Sequence, residues 1–261
     1  MATDEAGHAA GTAQTGDQAA RMRGPGRRLR GAVTNKIGTA ILSGEYQPGD
    51  VLPGEIAAAE ALAVSRGAYR EAVRVLAAKG LVESRTKAGT RVLPRERWNL
   101  LDPEVLAWAF AGDPDARLIR SLFELRLVIE PAAARFAALR RSKTDIKRMR
   151  DALAGMRRHS LATAEGQAAD RNFHDALLRA TDNDALVAIS ASIGAAVAWT
   201  TRFKQRTRAL PRDPIPDHAR VFDAIVTGDG EAASEAMRLL VEYALADTRD
   251  AMAHEGRPDS A

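Results

Sequence analysis

Residues 54–92 read GEIAAAEALAVSRGAYREAVRVLAAKGLVESRTKAGTRV, and this stretch decides the fold. After Val64-Ser65, apolar residues recur at Tyr69, Ala72, Val73 and Leu76, the i, i+3, i+4, i+7 spacing of a helix with one buried face. The opposite face carries Arg66, Arg70 and Arg74. Ser65 is an N-cap, and Lys79-Gly80 supplies a last-turn cation and a left-handed stop. A short alanine-rich helix over Glu55–Leu62 precedes it. Two short strands, Leu81–Arg85 and Gly89–Leu93, follow around Thr86-Lys87-Ala88. The pattern predicts a winged helix-turn-helix whose second helix enters a DNA major groove, with Arg85, Lys87 and Arg91 near the phosphates.

Outward from this stretch, charge supports the same reading. Residues 21–99 hold 15 Lys/Arg against 7 Asp/Glu, whereas residues 100–261 hold 23 against 24, so positive charge collects where phosphates would be neutralised. With no cysteine in 261 residues, disulfides and thiolate metal sites are excluded, and a reducing cytoplasm fits. The first 20 residues lack the basic start and apolar core of a signal peptide. Ala185–Thr201 runs without a charge, but Ala, Ser and Gly supply much of it, so it reads as a buried bundle helix rather than a membrane span.

Helix periodicity places a first helix over Arg28–Tyr46, with Leu29, Val33, Ile37, Ala40 and Ile41 inward. Asp102 caps a short helix opened by Pro103. From Asp113 onward the pattern is helical throughout. Ala116–Arg141 turns Leu118, Leu122, Leu125, Val128 and Ile129 to one face, and Pro131 predicts a kink or break. Further helices follow from Ser142, from Thr163 to Thr181, from an Asp184 cap, over Ile215–Thr227 and over Gly230–Ala253. The fold class is mainly α: a winged helix-turn-helix with a β-hairpin wing, then an all-α antiparallel bundle. The expected divisions are a disordered tail (1–27), the DNA-binding domain (28–94), a linker (95–112), a helical effector-binding and dimerisation domain (113–253) and a second tail (254–261).

The run LPGEIAAAEALAVSRGAYREAVRVLAAKGLVESRTKAGTRV resembles the DNA-binding domain of the GntR family of bacterial transcription regulators, and WNLLDP after it resembles the galactonate-repressor branch of the FadR subfamily. That resemblance implies DNA contacts at Ser65, Arg66, Gly67 and Arg70, with the wing at Lys87 and Gly89. The chain departs from the family at Ile56, where members usually carry an arginine. An isoleucine donates no hydrogen bond to a base or phosphate.

Asp170 and His174 stand one helical turn apart, a spacing that lets both reach one cation and that equally describes a solvated pair. Asp170-x-x-Phe173-His174 followed by His218 resembles the FCD ligand-binding domain, which implies a divalent metal on Asp170, His174 and His218; zinc is the placeholder, and nickel or manganese also suits these donors. Where the family has a further histidine this chain has Leu240, which leaves coordination positions open or marks a decaying site. Arg126, among apolar neighbours, is assigned to the carboxylate of a small organic acid; Glu130 at i+4 is the competing partner. Trp199 and Arg202 read as core packing and surface charge. The expectation is a cytoplasmic homodimeric repressor that binds double-stranded operator DNA and an aldonate-like sugar acid. A metal-dependent enzyme using Asp170, His174 and His218, or a DNA binder without effector control, are the alternatives.

Overall fold

The computed structural model describes residues 25–85, 88–112, 114–207 and 212–255. The tails expected at 1–27 and 254–261 therefore lie outside the described residues, except 25–27 and 254–255, which are helical. The chain divides into two compact units, with the boundary between Asn99 and Leu100. The segment expected as a linker, 95–112, is split by it: a 3-10 turn at Arg95–Arg97 belongs to the first unit and a helix at Pro103–Ala109 to the second.

In the first unit α1 spans Pro25–Leu42 and buries Val33, Ile37, Ala40 and Ile41. Helix α2, Glu55–Ala61, and α3, Arg66–Ala78, are joined by a tight turn in which Ala63 takes φ 52°. Ser65 caps α3 by accepting from the Ala68 amide at 3.1 Å, and Tyr69, Ala72, Val73 and Leu76 are buried as their spacing requires. The Tyr69 hydroxyl donates to Pro53 O at 3.0 Å and ties α3 to the approach to α2. Gly80 ends the helix at φ 75°, where a Cβ would stand 2.0 Å from Arg97 O; only glycine fits. Strands β1, Val82–Arg85, and β2, Gly89–Val92, pair antiparallel with Val82 opposite Val92 and Arg85 opposite Gly89. Val51 bridges to Arg91 at the edge of this hairpin.

In the second unit Asp102 caps α4, Pro103–Ala109, through the Glu104 and Val105 amides. The helix buries Val105, Leu106, Trp108 and Ala109, and Phe110 beyond it stacks on Trp199 with ring centroids 6.1 Å apart. Next come α5 (Ala116–Arg140), α6 (Lys143–His159), α7 (Ala164–Arg179), α8 (Asp184–Ala188), α9 (Ser190–Thr207), α10 (Ile215–Thr227) and α11 (Gly230–Glu255). α11 packs along α5, α7 lies between α6 and α9, and α10 lies against α11. The uncharged stretch expected as one bundle helix forms α8 and most of α9, separated at Ile189; α9 buries Ile193, Ala196, Val197 and Phe203, and no helix among the described residues is long and apolar enough to cross a membrane.

Three expectations need correction. Pro131 does not break α5, which continues for 25 residues with the proline buried inside it; the one lost backbone bond is offset by the contacts of a long helix against α11. On the same helix Leu118 and Leu122 are buried as expected, but Leu125, Val128 and Ile129 do not continue the face. It runs on through Phe123, Arg126, Glu130, Ala134 and Ala137, and leaves Val128 74% exposed. The charged pair displaces the apolar residues from the core. Finally, Asn183 rather than Asp184 provides the cap, accepting from the Ala185 and Leu186 amides, and the helix it opens stops at Ile189 before α9 begins.

Candidate metal centre and DNA-reading surface

On the first unit, Ser65, Arg66, Gly67 and Arg70 are all exposed around the start of α3. Arg70 lies 3.7 Å from Glu55 across solvent, and Arg74 3.3 Å from Glu71; such open pairs contribute little and yield readily to a phosphate. A side chain at Gly67 would meet only Ser65 Oγ, at 3.9 Å, so the fold does not demand glycine there. Gly89 differs. Its φ is 81°, and a methyl group there would stand 3.1 Å from Val51 Cγ1, so wing geometry alone explains the glycine. Lys87 lies outside the described residues. Arg91 donates to Gly49 O at 2.5 Å and so anchors the wing, while Arg85 sits 3.0 Å from Glu83. Ile56 is 61% exposed at the start of α2, an apolar side chain on the surface where the resemblance implies an arginine.

On the second unit, Asp170 and His174 project from α7 and His218 from the first turn of α10, and all three are buried. Their candidate ligand atoms lie within 4.8 Å of one another. Asp170 Oδ1 stands 3.1 Å from His218 Nε2 and 3.6 Å from His174 Nε2. Asp170 Oδ1 and His218 Nε2 are buried without a well-formed hydrogen bond, although water-excluded polar atoms are normally satisfied. Donors on one cation at about 2.1 Å stand roughly 3 to 4 Å apart, so the residues fit a divalent ion. The outer nitrogens are arranged for this: His218 Nδ1 faces Pro214 O at 2.8 Å, and His174 Nδ1 lies 2.5 Å from Glu130 Oε2. In the metal-bound form, with each ring neutral and its proton on Nδ1, both Nε2 lone pairs would point toward Asp170. The His174–Glu130 contact is close but lacks hydrogen-bond alignment, so its effect is chiefly electrostatic. Phe173 meets both imidazoles edge-on, at 6.0 and 5.2 Å.

Arg126 and Glu130 complete the arrangement from α5. Arg126 Nε donates to Glu130 Oε1 at 2.6 Å with both side chains buried. Both partners considered for the arginine are thus compatible: it holds Glu130 through Nε, and it also lines a cavity of about 30 Å³ with Asp170, His174 and His218. Leu240, 2% exposed, faces the same cavity from α11. Residues the sequence reading missed here are Glu130 as the carboxylate behind His174, and Lys204, Arg212 and Asp247 as cavity walls. Only the i+4 spacing of Glu130 from Arg126 gave any signal. Trp199 and Arg202 lie instead on a separate cleft of about 430 Å³, where Arg202 stacks 4.9 Å over Trp199 and donates to Gln167.

The electrostatics follow from this packing. Burial disfavours ionised Glu130, yet Arg126 and His174 outweigh it and hold its carboxyl at about 2. Burial likewise opposes a charged His174, and the Glu130 and Asp170 carboxylates reverse that and raise it to about 9. Asp170, despite its burial, is lowered by the His174 and His218 imidazoles beside it. A histidine raised from 6.5 to about 9 adds stability that is complete below the lower value and is lost as pH rises through the upper one. Metal requires the neutral ring, so its contribution moves the other way. Chelator-treated protein is therefore expected to melt at lower temperature as pH rises from about 6.5 to 9, while the increment from added zinc grows over that interval. Thermal unfolding with and without metal checks this; an increment independent of pH would exclude His174 as a ligand.

The two units have separate counterparts among known proteins. Residues 29–92 match the bacterial regulatory proteins of the gntR family, and residues 121–243 match the FCD domain. Over 206 residues the chain is 35% identical to the galactonate operon transcriptional repressor of Escherichia coli (strain K12), covering 78% of this chain and 90% of that repressor. It is 32% identical over 209 residues to the Uxu operon transcriptional regulator of the same organism, covering 76% and 77%. Among solved structures, Lar, which controls the expression of the Listeria monocytogenes agr system, gives a TM-score of 0.63 at 20% identity over 85% of this chain and 97% of Lar, a likeness of fold.

Proposed function

The chain belongs to the gntR family of bacterial regulatory proteins and carries an FCD domain, and on that premise we propose that it is a homodimeric, cytoplasmic repressor of a sugar-acid operon, released from its operator by a small carboxylic acid. The observation that carries the effector half is the convergence of Arg126, Asp170, His174 and His218 on one buried cavity. The name of the galactonate repressor directs attention to sugar acids. A resident zinc, nickel or manganese ion on Asp170, His174 and His218 would supply a Lewis acid for a carboxylate or hydroxyl oxygen. Arg126 would grip the carboxylate with its guanidinium edge while Glu130 holds the arginine in place. Two-fold symmetry would present α3 and its partner copy to paired half-sites. A ligand that binds the second unit then alters DNA affinity by a coupling free energy, and DNA must alter ligand affinity equally. These parts serve recognition; relatives named as regulators support the same view over a metal-dependent enzyme.

Fluorescence anisotropy with a labelled fragment from upstream of the protein's own gene tests the reading. Galactonate and related sugar acids are expected to weaken binding about 5-fold to 150-fold, the usual range of allosteric coupling. Operator binding that no sugar acid changes, with or without added metal, would leave the chain a DNA binder without effector control.

A further inference from the structure

Helix α5 is apolar on two faces. Its inner face, with Leu122, Phe123, Ala133 and Ala137, is buried among α11, α10 and α7 and carries the Arg126–Glu130 pair. Its outer face holds Leu125, Val128, Ile129, Ala132, Phe136 and Leu139. At about 3.6 residues per turn these six share an arc of roughly 100° on the far side of the helix. Val128 is 74% exposed and Leu139 60%, Ala132 is exposed, and the other three are half-buried. Single exposed apolar side chains are ordinary, whereas a contiguous row marks a contact surface. A helix apolar on opposite sides needs a partner on each.

The order of residues on the outer face identifies that partner. Ser121, Leu125, Val128, Ala132, Arg135 and Leu139 follow at alternating steps of four and three residues, the spacing of a seam between helices lying side by side. The seam is symmetric about the level of Glu130: Val128 and Ala132, Leu125 and Arg135, and Ser121 and Leu139 stand equally far to either side. Laid antiparallel on a second copy, each member of a pair meets its mate, as a two-fold interface requires. Charge selects the same direction. Glu124 and Arg135 are exposed on one flank of the seam. Antiparallel pairing brings Glu124 to the partner's Arg135 on both copies, whereas parallel pairing sets like charge on like. Arg135 also reaches Glu231 of its own chain at 2.8 Å, but that pair is open to solvent and contributes little. The Ser121 hydroxyl donates to Arg117 O at 2.9 Å, so it enters an apolar contact with its donor satisfied.

We propose that the outer face of α5 is the contact between two copies of this chain, with the helices antiparallel about a two-fold axis near Val128 and Ala132. This rests on the homodimer reading above and gives it a location. Arg126 and Glu130 lie on the reverse of the same helix, so one element joins the cavity to the second copy.

Analytical ultracentrifugation of the full chain at micromolar concentration, with and without added zinc, tests the proposal. Wild type is expected as a dimer, and Val128→Glu should weaken that dimer roughly a hundredfold or more. Its helical content should not change, because Val128 lies outside the core. The chain has no cysteine, so a short bismaleimide crosslinker can fix the direction. The Ser121→Cys/Leu139→Cys double variant should form covalent dimers. Each single variant should not, since the two copies of one position would lie about 27 Å apart along the helices. Crosslinking of the single variants would overturn the antiparallel arrangement. A wild-type dimer that Val128→Glu leaves intact overturns this face as the contact and leaves the homodimer reading standing. A wild-type monomer overturns both.

Discussion

His174→Ala, Asp170→Ala and His218→Ala are each expected to strip a stoichiometric divalent metal from the purified protein. The three candidate donors lie within 4.8 Å and two of them are buried orphans, so removing one leaves two, too few for tight binding by a first-row cation. Metal content by mass spectrometry reads the loss directly. A second readout is stability: wild-type protein at a hundredfold excess of metal over its Kd gains about 2.7 kcal/mol, and the variants should gain almost none. His174→Ala removes the ring but leaves the buried Arg126–Glu130 pair intact, so its fold should survive. Glu130→Gln separates support from ligation, because it removes the carboxylate behind His174 without removing a donor. A weakening of roughly tenfold to a hundredfold is expected there, typical of losing a partner behind a ligand. Leu240→His tests the departure from the family in the opposite direction: Leu240 already faces the cavity, and an added imidazole should tighten metal binding. Equal metal content in wild type and all three ligand variants would eliminate the site.

The first unit was legible because its signals are local. The spacing of Tyr69, Ala72, Val73 and Leu76, the Ser65 cap and the Gly80 stop each act within one or two turns, and each appears where it was expected. The second unit was legible as helices but not as faces. Apolar periodicity turned Leu125 and Val128 inward on α5, whereas the protein buries Arg126 and Glu130 there. A charge is admissible in a core only when a partner meets it, and the third member, His174, is 44 residues from Glu130 in the chain. Nothing in helical spacing announces such a meeting. His218 was likewise found through resemblance to a family pattern rather than through spacing. Lys204 and Arg212 escaped notice for the same reason: their significance lies in sharing one cavity with Arg126. The Asn183 cap and the interruption at Ile189 differ from expectation by one residue and one turn, a scale that tertiary packing rather than composition decides.

At the DNA surface, Arg66→Ala and Arg70→Ala are each expected to cost about 1 to 3 kcal/mol of operator affinity, and together more than tenfold. Both side chains are exposed and neither supports the core, so melting temperature should hardly move. Ser65→Ala provides the contrast. Its hydroxyl caps α3 through the Ala68 amide, so its loss should cost about 1 kcal/mol of stability even if DNA binding also falls. The manner of the arginine losses distinguishes their roles. An arginine that forks onto a guanine edge costs affinity for the operator but little for unrelated DNA, whereas one that meets phosphate weakens both and lowers the salt slope by about one. Arg74, further along α3 and 3.3 Å from Glu71, should matter less than either. Ile56 sharpens the expectation: with an apolar side chain 61% exposed at the start of α2, base and phosphate readout falls more heavily on Arg66 and Arg70. Ile56→Arg should then raise affinity, for all DNA if the new guanidinium meets phosphate and for particular sequences if it reaches a base. Titrations of wild type and variants against operator and scrambled duplexes at several salt concentrations make the comparison, and unchanged operator affinity in the Arg66/Arg70 double variant would remove α3 from the role of recognition helix.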